Sequence, residues 1–397
     1  MKILFYTFYY PPDLCAGSFR AVALVESLEK KMGSNDELHI VTTHPNRYAS
    51  HRVAAKDIEI HGKVTIHRIS IPAHKNGFLS QARAFWVYSR LSLQLCRKLK
   101  PDFLIGTTSR LMTGVLTWRS ARRHKIQYFI DLRDIFSETI SDIFAQKSRL
   151  FGYVAKAIFS FLDRRVLINA AAVNVVSEGF FDYFRREGIC TKYWSFYPNG
   201  VDKEFINFPE FSSVGENEVT TILYAGNIGS GQGLEKIVPS AAKILGDKFQ
   251  FVIIGDGGTK SLLIDELSSQ GINNVKLIPP VARAELIEYY QNADILFLQL
   301  NDISAFRRVL PSKIFEYAAL GKSIVAGLSG YSAKFLEDNV PYAHLFEPGN
   351  VNSSVSSIRN ALNSDIDRVI IDQFTKKYSR SSIMDRMAKH ILVVAGR

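Results

Sequence analysis

The chain has 397 residues, of which 47% are hydrophobic and 22% charged, so it carries apolar surface for two cores and is neither disordered nor a small disulfide-stapled module. Its formal charge of +11 suits an anionic partner, whether nucleic acid, a phosphorylated ligand or an anionic membrane surface, and charge alone does not choose among them. No run of about 18 apolar residues occurs, which excludes a bilayer-spanning helix.

Cys15, Cys96 and Cys190 lie far apart without metal-ligand spacing and are expected as reduced structural thiols of a cytosolic chain. His44, His51, His61, His67 and His74 fall in one region, again without paired spacing, and are expected at the surface and in the core. No metal site is expected. The opening MKILFYTFYYPP lacks a multiply charged start and a small-residue cleavage site and ends in Pro-Pro, so it is expected as a first strand.

Short apolar runs then alternate with helical patterns along the whole chain, which predicts an α/β protein. A strand from Ile3 to Thr7 leads through a loop with Pro11, Pro12 and Gly17 to a helix from Phe19 to Met32, whose Ala21, Leu24, Val25 and Leu28 share one face. Strands are predicted at His39 to Thr43, Val64 to Ile69, Phe103 to Thr107, Tyr128 to Asp131, Ala172 to Val176 and Tyr193 to Tyr197. The stretch from Pro198 to Glu218 breaks the periodicity with Pro, Gly, Asn and charges, and is expected to contain the linker between domains. Six further strands follow, at Ile222 to Ala225, Phe251 to Ile254, Val275 to Ile278, Ile295 to Leu298, Ser323 to Ala326 and His344 to Phe346. Continuous apolar runs of this kind suit parallel sheets covered on both faces, so two doubly wound domains are predicted, over 1–203 and 204–374. Two helices are expected between Asp367 and Arg397, with 375–397 crossing back to the first domain.

Ligands of such sheets bind beyond the carboxyl ends of the strands. Three stretches there carry candidate chemistry. LPSKIFEYAALGKSIVAG, Leu310 to Gly327, combines Pro311 at a helix start, Gly321 at its stop and a buried strand. Lys313 beside that helix N-terminus suits an anion such as a diphosphate, and Glu316, one turn on, suits the two hydroxyls of a ribose. A second reading stays open, in which Glu316 complements the helix dipole and pairs with Lys313 at the surface. GNIGSGQG, Gly226 to Gly233, and IIGDGGTK, Ile253 to Lys260, each end a strand with glycines that let backbone approach a phosphate. Neither has the G-x-G-x-x-G dinucleotide spacing, and each alone also fits a plain strand-to-helix turn.

These stretches, together with YPNGVD (Tyr197 to Asp202) and Tyr-x-x-Ala-Asp (Tyr290 to Asp294), resemble the retaining nucleotide-sugar glycosyltransferases of family 4, in particular the bacterial members that build O-antigen and capsule. The likeness runs through nearly the whole chain and is strongest from Asn199 to Val325. It implies the GT-B arrangement, two facing doubly wound domains with a cleft between them, the second holding the donor and the first the acceptor. Carried over by residue, Glu316 matches the ribose-binding glutamate, Gly226, Asn227, Gly229 and Gly233 the loop near the donor, and Gly255 with Asp256 the turn near the base. Gly17 and Arg20 after YYPP resemble the first loop, which approaches the donor diphosphate.

Two positions depart from the family pattern. Arg308 stands where an earlier glutamate is often found, eight residues before Glu316, and Gln232 stands where many members carry a basic residue. The diphosphate is therefore expected to meet backbone N–H groups, Lys313, Arg307 or Arg308. In the first domain YFIDLRDIF ends a strand with Asp131, Arg133 and Asp134 where many relatives have a histidine. Asp131 and Asp134 either orient a hydroxyl, with general-base help, or form an Asp-Arg-Asp bridge that holds the loop; Arg133 is taken as acceptor-side with Arg20. Asp365 and Asp367, a D-x-D near the C-terminus, are expected as helix-capping residues.

Two first-half segments, Phe78 to Lys100 and Arg149 to Arg165, interleave basic with apolar residues; Phe85, Tyr88, Leu91, Leu95 and Leu99 fall at helical spacing in the first. They read as core-packing helices or as contacts to an anionic inner membrane. The resemblance implies transfer of a sugar, from a UDP-linked donor and with retention, to a lipid-linked saccharide by a cytoplasmic enzyme peripheral to that membrane. No cofactor is expected. The alternative is a nucleotide-sugar epimerase on the same architecture. Nucleic acid is not an expected partner, since basic charge is its sole support and no nucleic-acid-binding motif accompanies it.

Overall fold

Continuous apolar strands and amphipathic helices pair off as the sequence predicts in the computed structural model, which describes residues 1–13, 15–46, 54–72, 78–108, 111–135, 137, 149–189, 193–206 and 219–396. Cys190, His51, His74 and residues 207–218 of the expected linker lie outside the described residues. The chain divides into two units, Met1–Asn199 with Arg380–Arg397, and Gly200–Ser379.

The first unit holds, among the described residues, an eight-stranded sheet built from β1 (Lys2–Tyr6), β2 (Glu37–Thr43), β3 (Ile58–His61), β4 (Val64–Ile69), β5 (Phe103–Thr107), β6 (Gln127–Leu132), β7 (Ala172–Val175) and β8 (Trp194–Phe196). Its order is β3-β4-β2-β1-β5-β6-β7-β8, parallel throughout except for the β3–β4 pair. The central strands are buried on both faces, which is why they read as unbroken apolar runs. The helix Ala16–Lys31 packs against the last helix, Arg380–Val394, whose Ile383, Met384, Met387 and Ile391 are buried. Strand β3 is absent from the sequence reading.

The second unit holds, among the described residues, six parallel strands, β9 (Thr220–Asn227), β10 (Phe249–Asp256), β11 (Val275–Ile278), β12 (Ile295–Gln299), β13 (Ser323–Gly327) and β14 (Ala343–Phe346). Their order, β11-β10-β9-β12-β13-β14, reverses direction between β9 and β12, so the crevice beyond the carboxyl ends of those two strands is where a ligand is expected. Helix Leu234–Leu245 buries Leu234, Ile237, Val238, Ala241 and Ala242 against this sheet.

Two helix boundaries follow local rules. Pro311 precedes the helix Ser312–Ala319 at its N-cap, and Gly321, at φ +64°, takes the left-handed conformation that closes it. Asp367 caps the helix Arg368–Lys377, its side chain accepting from the Val369 N–H at 2.8 Å, so the C-terminal D-x-D supplies a helix start.

Candidate nucleotide site

In the second unit, the sheet register brings the two glycine loops together: Gly226 pairs with Gly255, and Asn227 with Asp256, at the carboxyl ends of β9 and β10. Gly255 has φ +153°, and a Cβ there would run into the carbonyl of Gly226. A Cβ on Gly226 would in turn strike the Lys313 ammonium. Glycine at both positions thus lets the strand ends approach each other and leaves room for the Lys313 side chain, whose Nζ lies 5.3 Å from the centre of the Tyr224 ring. Desolvation pushes the Lys313 ammonium below its ordinary range, with Glu316 opposing the shift. A poorly hydrated cation beside a helix N-terminus and a glycine loop is arranged for an anion.

The loop itself is braced from within. Gln232, the residue that replaces an expected base, places Oε1 2.9 Å from Asn227 Nδ2 and 3.3 Å from the Gly229 N–H. Ile228 N–H donates to the Asp256 carbonyl, and the Gly233 N–H to that of Gly229. Gly233, at φ +59°, caps the helix Leu234–Leu245. Asp256 accepts from the Gly257 N–H at 2.8 Å, which turns the chain at the end of β10. Gly226, Asn227, Gly229, Gly233, Gly255 and Asp256 therefore form one framework.

Glu316 sits on the helix Ser312–Ala319, its side chain 12% exposed, and its partners differ from the expected Lys313. Arg283 donates to Oε1 at 3.2 Å and the Tyr290 hydroxyl to Oε2 at 3.3 Å. Each carboxylate oxygen keeps a lone pair for a further hydroxyl. Arg283 also reaches Asp202 of the YPNGVD turn at 2.5 Å. Its guanidinium is held above the ordinary range because Glu316 and Asp202 outweigh the desolvation that lowers it, and burial raises the Tyr290 phenol. Sequence reasoning missed Arg283 and gave Tyr290 no role. A signal existed: they stand seven residues apart in RAELIEYY, two helical turns, and so share a face.

Of the two arginines offered to the diphosphate, Arg307 makes a two-pronged pair with Asp302, at 2.7 and 2.6 Å, and Arg308 Nη1 donates to the Ser304 carbonyl and hydroxyl at 2.9 and 3.3 Å. Lys313 makes no ion pair among the described residues.

In the first unit the predicted Asp-Arg-Asp bridge has a different form. Asp131, 2% exposed, pairs with Arg20 and accepts from Asn174 Nδ2 at 2.7 Å. Arg20, 1% exposed, also donates to the carbonyls of Pro198 and Tyr197 and to the sulfur of Met387. This pair ties the first helix to β6, while Gly17 is buried in that helix's opening turn. Arg133 keeps two buried nitrogens, Nε and Nη1, without a hydrogen-bond partner, and Asp134 is pushed up to about 6 by burial, with Arg133 opposing.

Comparison with known proteins accords with this geometry. The family model for "Glycosyl transferase 4-like domain" matches residues 21–200, and that for "Glycosyl transferases group 1" matches residues 208–378. The chain is 24% identical over 390 residues to a putative colanic acid biosynthesis glycosyl transferase, WcaI, of Escherichia coli K12, covering 91% of this chain and 92% of that protein. Among solved structures it is similar to sucrose-phosphate synthase from Thermosynechococcus elongatus, with a TM-score of 0.73 at 14% identity over 99% of this chain and 98% of the other. It is also similar to HepE of Anabaena in complex with UDP-glucose, with a TM-score of 0.66 at 14% identity over 99% of each chain. The two family models follow one another along the chain as the two parallel-sheet units do, and this protein belongs to the family-4 glycosyltransferases of GT-B architecture.

Proposed function

We propose that this glycosyltransferase moves a sugar from a UDP-linked donor to a lipid-linked saccharide in bacterial surface polysaccharide synthesis, with retention and without a metal ion. The observation that carries the reading is the placement of Lys313, desolvated beside the Gly226–Gly255 strand ends, one helical turn from Glu316, whose two oxygens each keep acceptor capacity. The first group suits a diphosphate and the second a ribose diol. The base is suggested by HepE, a relative in fold that was solved with UDP-glucose, and the pathway by WcaI.

A lipid-linked acceptor would bring the protein to an anionic inner leaflet. Support comes from the helix Arg149–Ile168, where Tyr153, Val154, Ile158, Phe161 and Ile168 are all exposed and Arg165 stacks 5.0 Å from the Phe161 ring centre. Such a face, apolar with arginines beside it, suits the interface of a charged membrane. No helix among the described residues is long and apolar enough to cross a membrane.

Incubation with labelled UDP-sugars and bacterial membrane lipid extract tests the proposal. Label passing to lipid with release of UDP is the expected result, and nuclear magnetic resonance of the product reads its anomeric configuration. Label that stays in the nucleotide sugar, or that reappears there as an epimer, overturns it.

A further inference from the structure

We infer that Arg283 is a positioning residue for nucleotide recognition, one that fixes the Glu316 carboxylate against the YPNGVD turn so that its free lone pairs face the ribose. The inference rests on reading Glu316 as the ribose acceptor. Arg283 opens the helix Arg283–Asn292 and extends one arm of its guanidinium to each of two acids, Nη2 to Asp202 at 2.5 Å and Nη1 to Glu316 at 3.2 Å. Its central carbon lies 4.6 Å from the centre of the Phe205 ring, Phe205 meets Tyr290 edge-on at 5.8 Å, and the Tyr290 hydroxyl returns to Glu316 at 3.3 Å. The circuit is closed, and each member restricts the next.

Geometry separates this arrangement from a bridge kept for stability alone. The three side chains are only 20%, 16% and 12% exposed, and Arg283 and Tyr290 approach different oxygens of Glu316, which pins both the carboxylate's position and its plane. A lysine at 283 would offer one ammonium in place of the fixed fork whose two separate nitrogens span the two acids.

The expected result is specific to the nucleoside. Calorimetric titration of ADP, GDP, UDP and inorganic pyrophosphate would compare the wild type with Arg283→Met, Arg283→Lys, Glu316→Gln and the Arg283→Met/Glu316→Gln double variant, each checked for folding by circular dichroism. For the preferred nucleotide, Arg283→Met should weaken binding about tenfold, the loss of one charged hydrogen bond's worth of alignment, while pyrophosphate binding stays within about twofold. Arg283→Lys should fall between, and it keeps the experiment decisive if the methionine variant does not fold. The double variant should bind no more than about twofold weaker than Glu316→Gln, because Arg283 acts through that carboxylate. Equal losses for nucleotide and pyrophosphate, or losses that multiply in the double variant, overturn the inference and leave the Glu316 reading standing. No effect of Glu316→Gln, or no nucleotide binding by the wild type, removes the reading itself and the inference with it.

Discussion

Arg20 and Asp131 form a two-pronged ion pair inside the first unit, Nε 2.8 Å from Oδ2 and Nη2 2.9 Å from Oδ1, and the pair joins the opening helix to the carboxyl end of β6. Arg20 outweighs the desolvation that would raise the Asp131 carboxyl, and holds it below the ordinary carboxylate range. Breaking a buried pair by removing one charge leaves the other uncompensated, so Asp131→Asn should lower unfolding stability at pH 7 by about 3 kcal/mol or more. The folded carboxyl is the more acidic, so its contribution is present above the unfolded value and lost as pH falls through the folded one. Urea unfolding of wild type and variant should therefore converge below about pH 4. A variant as stable as the wild type at pH 7 would contradict the framework role.

Asp134, three residues on, shows the opposite balance. Burial raises its carboxyl to about 6, so the folded state binds a proton more readily than the unfolded chain, and stability declines as pH rises through about 6. Asp134→Asn should stabilise the protein at pH 7.5 by about 1 to 3 kcal/mol, less than the full shift because the side chain is partly in contact with solvent, and the gain should vanish near pH 4. Loss of transfer in that more stable variant would assign the acid to function. A destabilised variant at pH 7.5 would count against the sign.

Strands were legible where burial on both faces demanded nearly unbroken apolar runs: Phe103–Thr107, Ile295–Gln299 and Ser323–Gly327 fall within a residue of where the sequence places them. Strand β3, Ile58–His61, was not, because it is a short antiparallel edge whose Ile58 and Ile60 are 57% and 70% exposed, so no core pattern marks it. Glu316 was legible from its helix start, yet its cation was misassigned. Helical spacing offered Lys313, three residues away, while the ion pair comes from Arg283, 33 residues away, a proximity that only the fold creates. The same limit hid the Arg20–Asp131 pair behind the adjacent Arg133.

Lys313 and Glu316 should separate by ligand. Glu316→Gln preserves volume but removes charge from the acceptor, and nucleotide binding should fall by about 1.5 to 3 kcal/mol, the scale of a hydrogen bond to a charged group. Lys313→Ala should weaken diphosphates and leave the bare nucleoside unchanged, whereas the Glu316→Gln loss should persist for the nucleoside. A folded Glu316→Gln protein that binds and transfers like the wild type would leave Glu316 only the structural role of holding Arg283 and Tyr290.

Lys313 and the helix N-terminus beside it provide fixed positive charge for a leaving diphosphate, so transfer is expected without divalent metal. Rates measured with and without a chelator should agree. Activity abolished by chelation and restored by manganese would show that this charge does not suffice.

The helix Arg149–Ile168 gives the membrane proposal its sharpest form. Phe161, 54% exposed, and Ile158, 53% exposed, lie on the same outward face as Arg165, so apolar contact and cationic attraction would act at one place. Each Arg or Lys near an anionic surface adds about 1 kcal/mol, and exposed charges are screened by salt, so sedimentation with phosphatidylglycerol vesicles should fall as ionic strength rises. Phe161→Asp should reduce vesicle binding further at every salt concentration, because it removes buried apolar area and adds a repelled charge, and it should leave nucleotide binding by the second unit unchanged. Equal binding to neutral vesicles at all ionic strengths, or a Phe161→Asp protein that sediments like the wild type, would mean that this face serves another purpose.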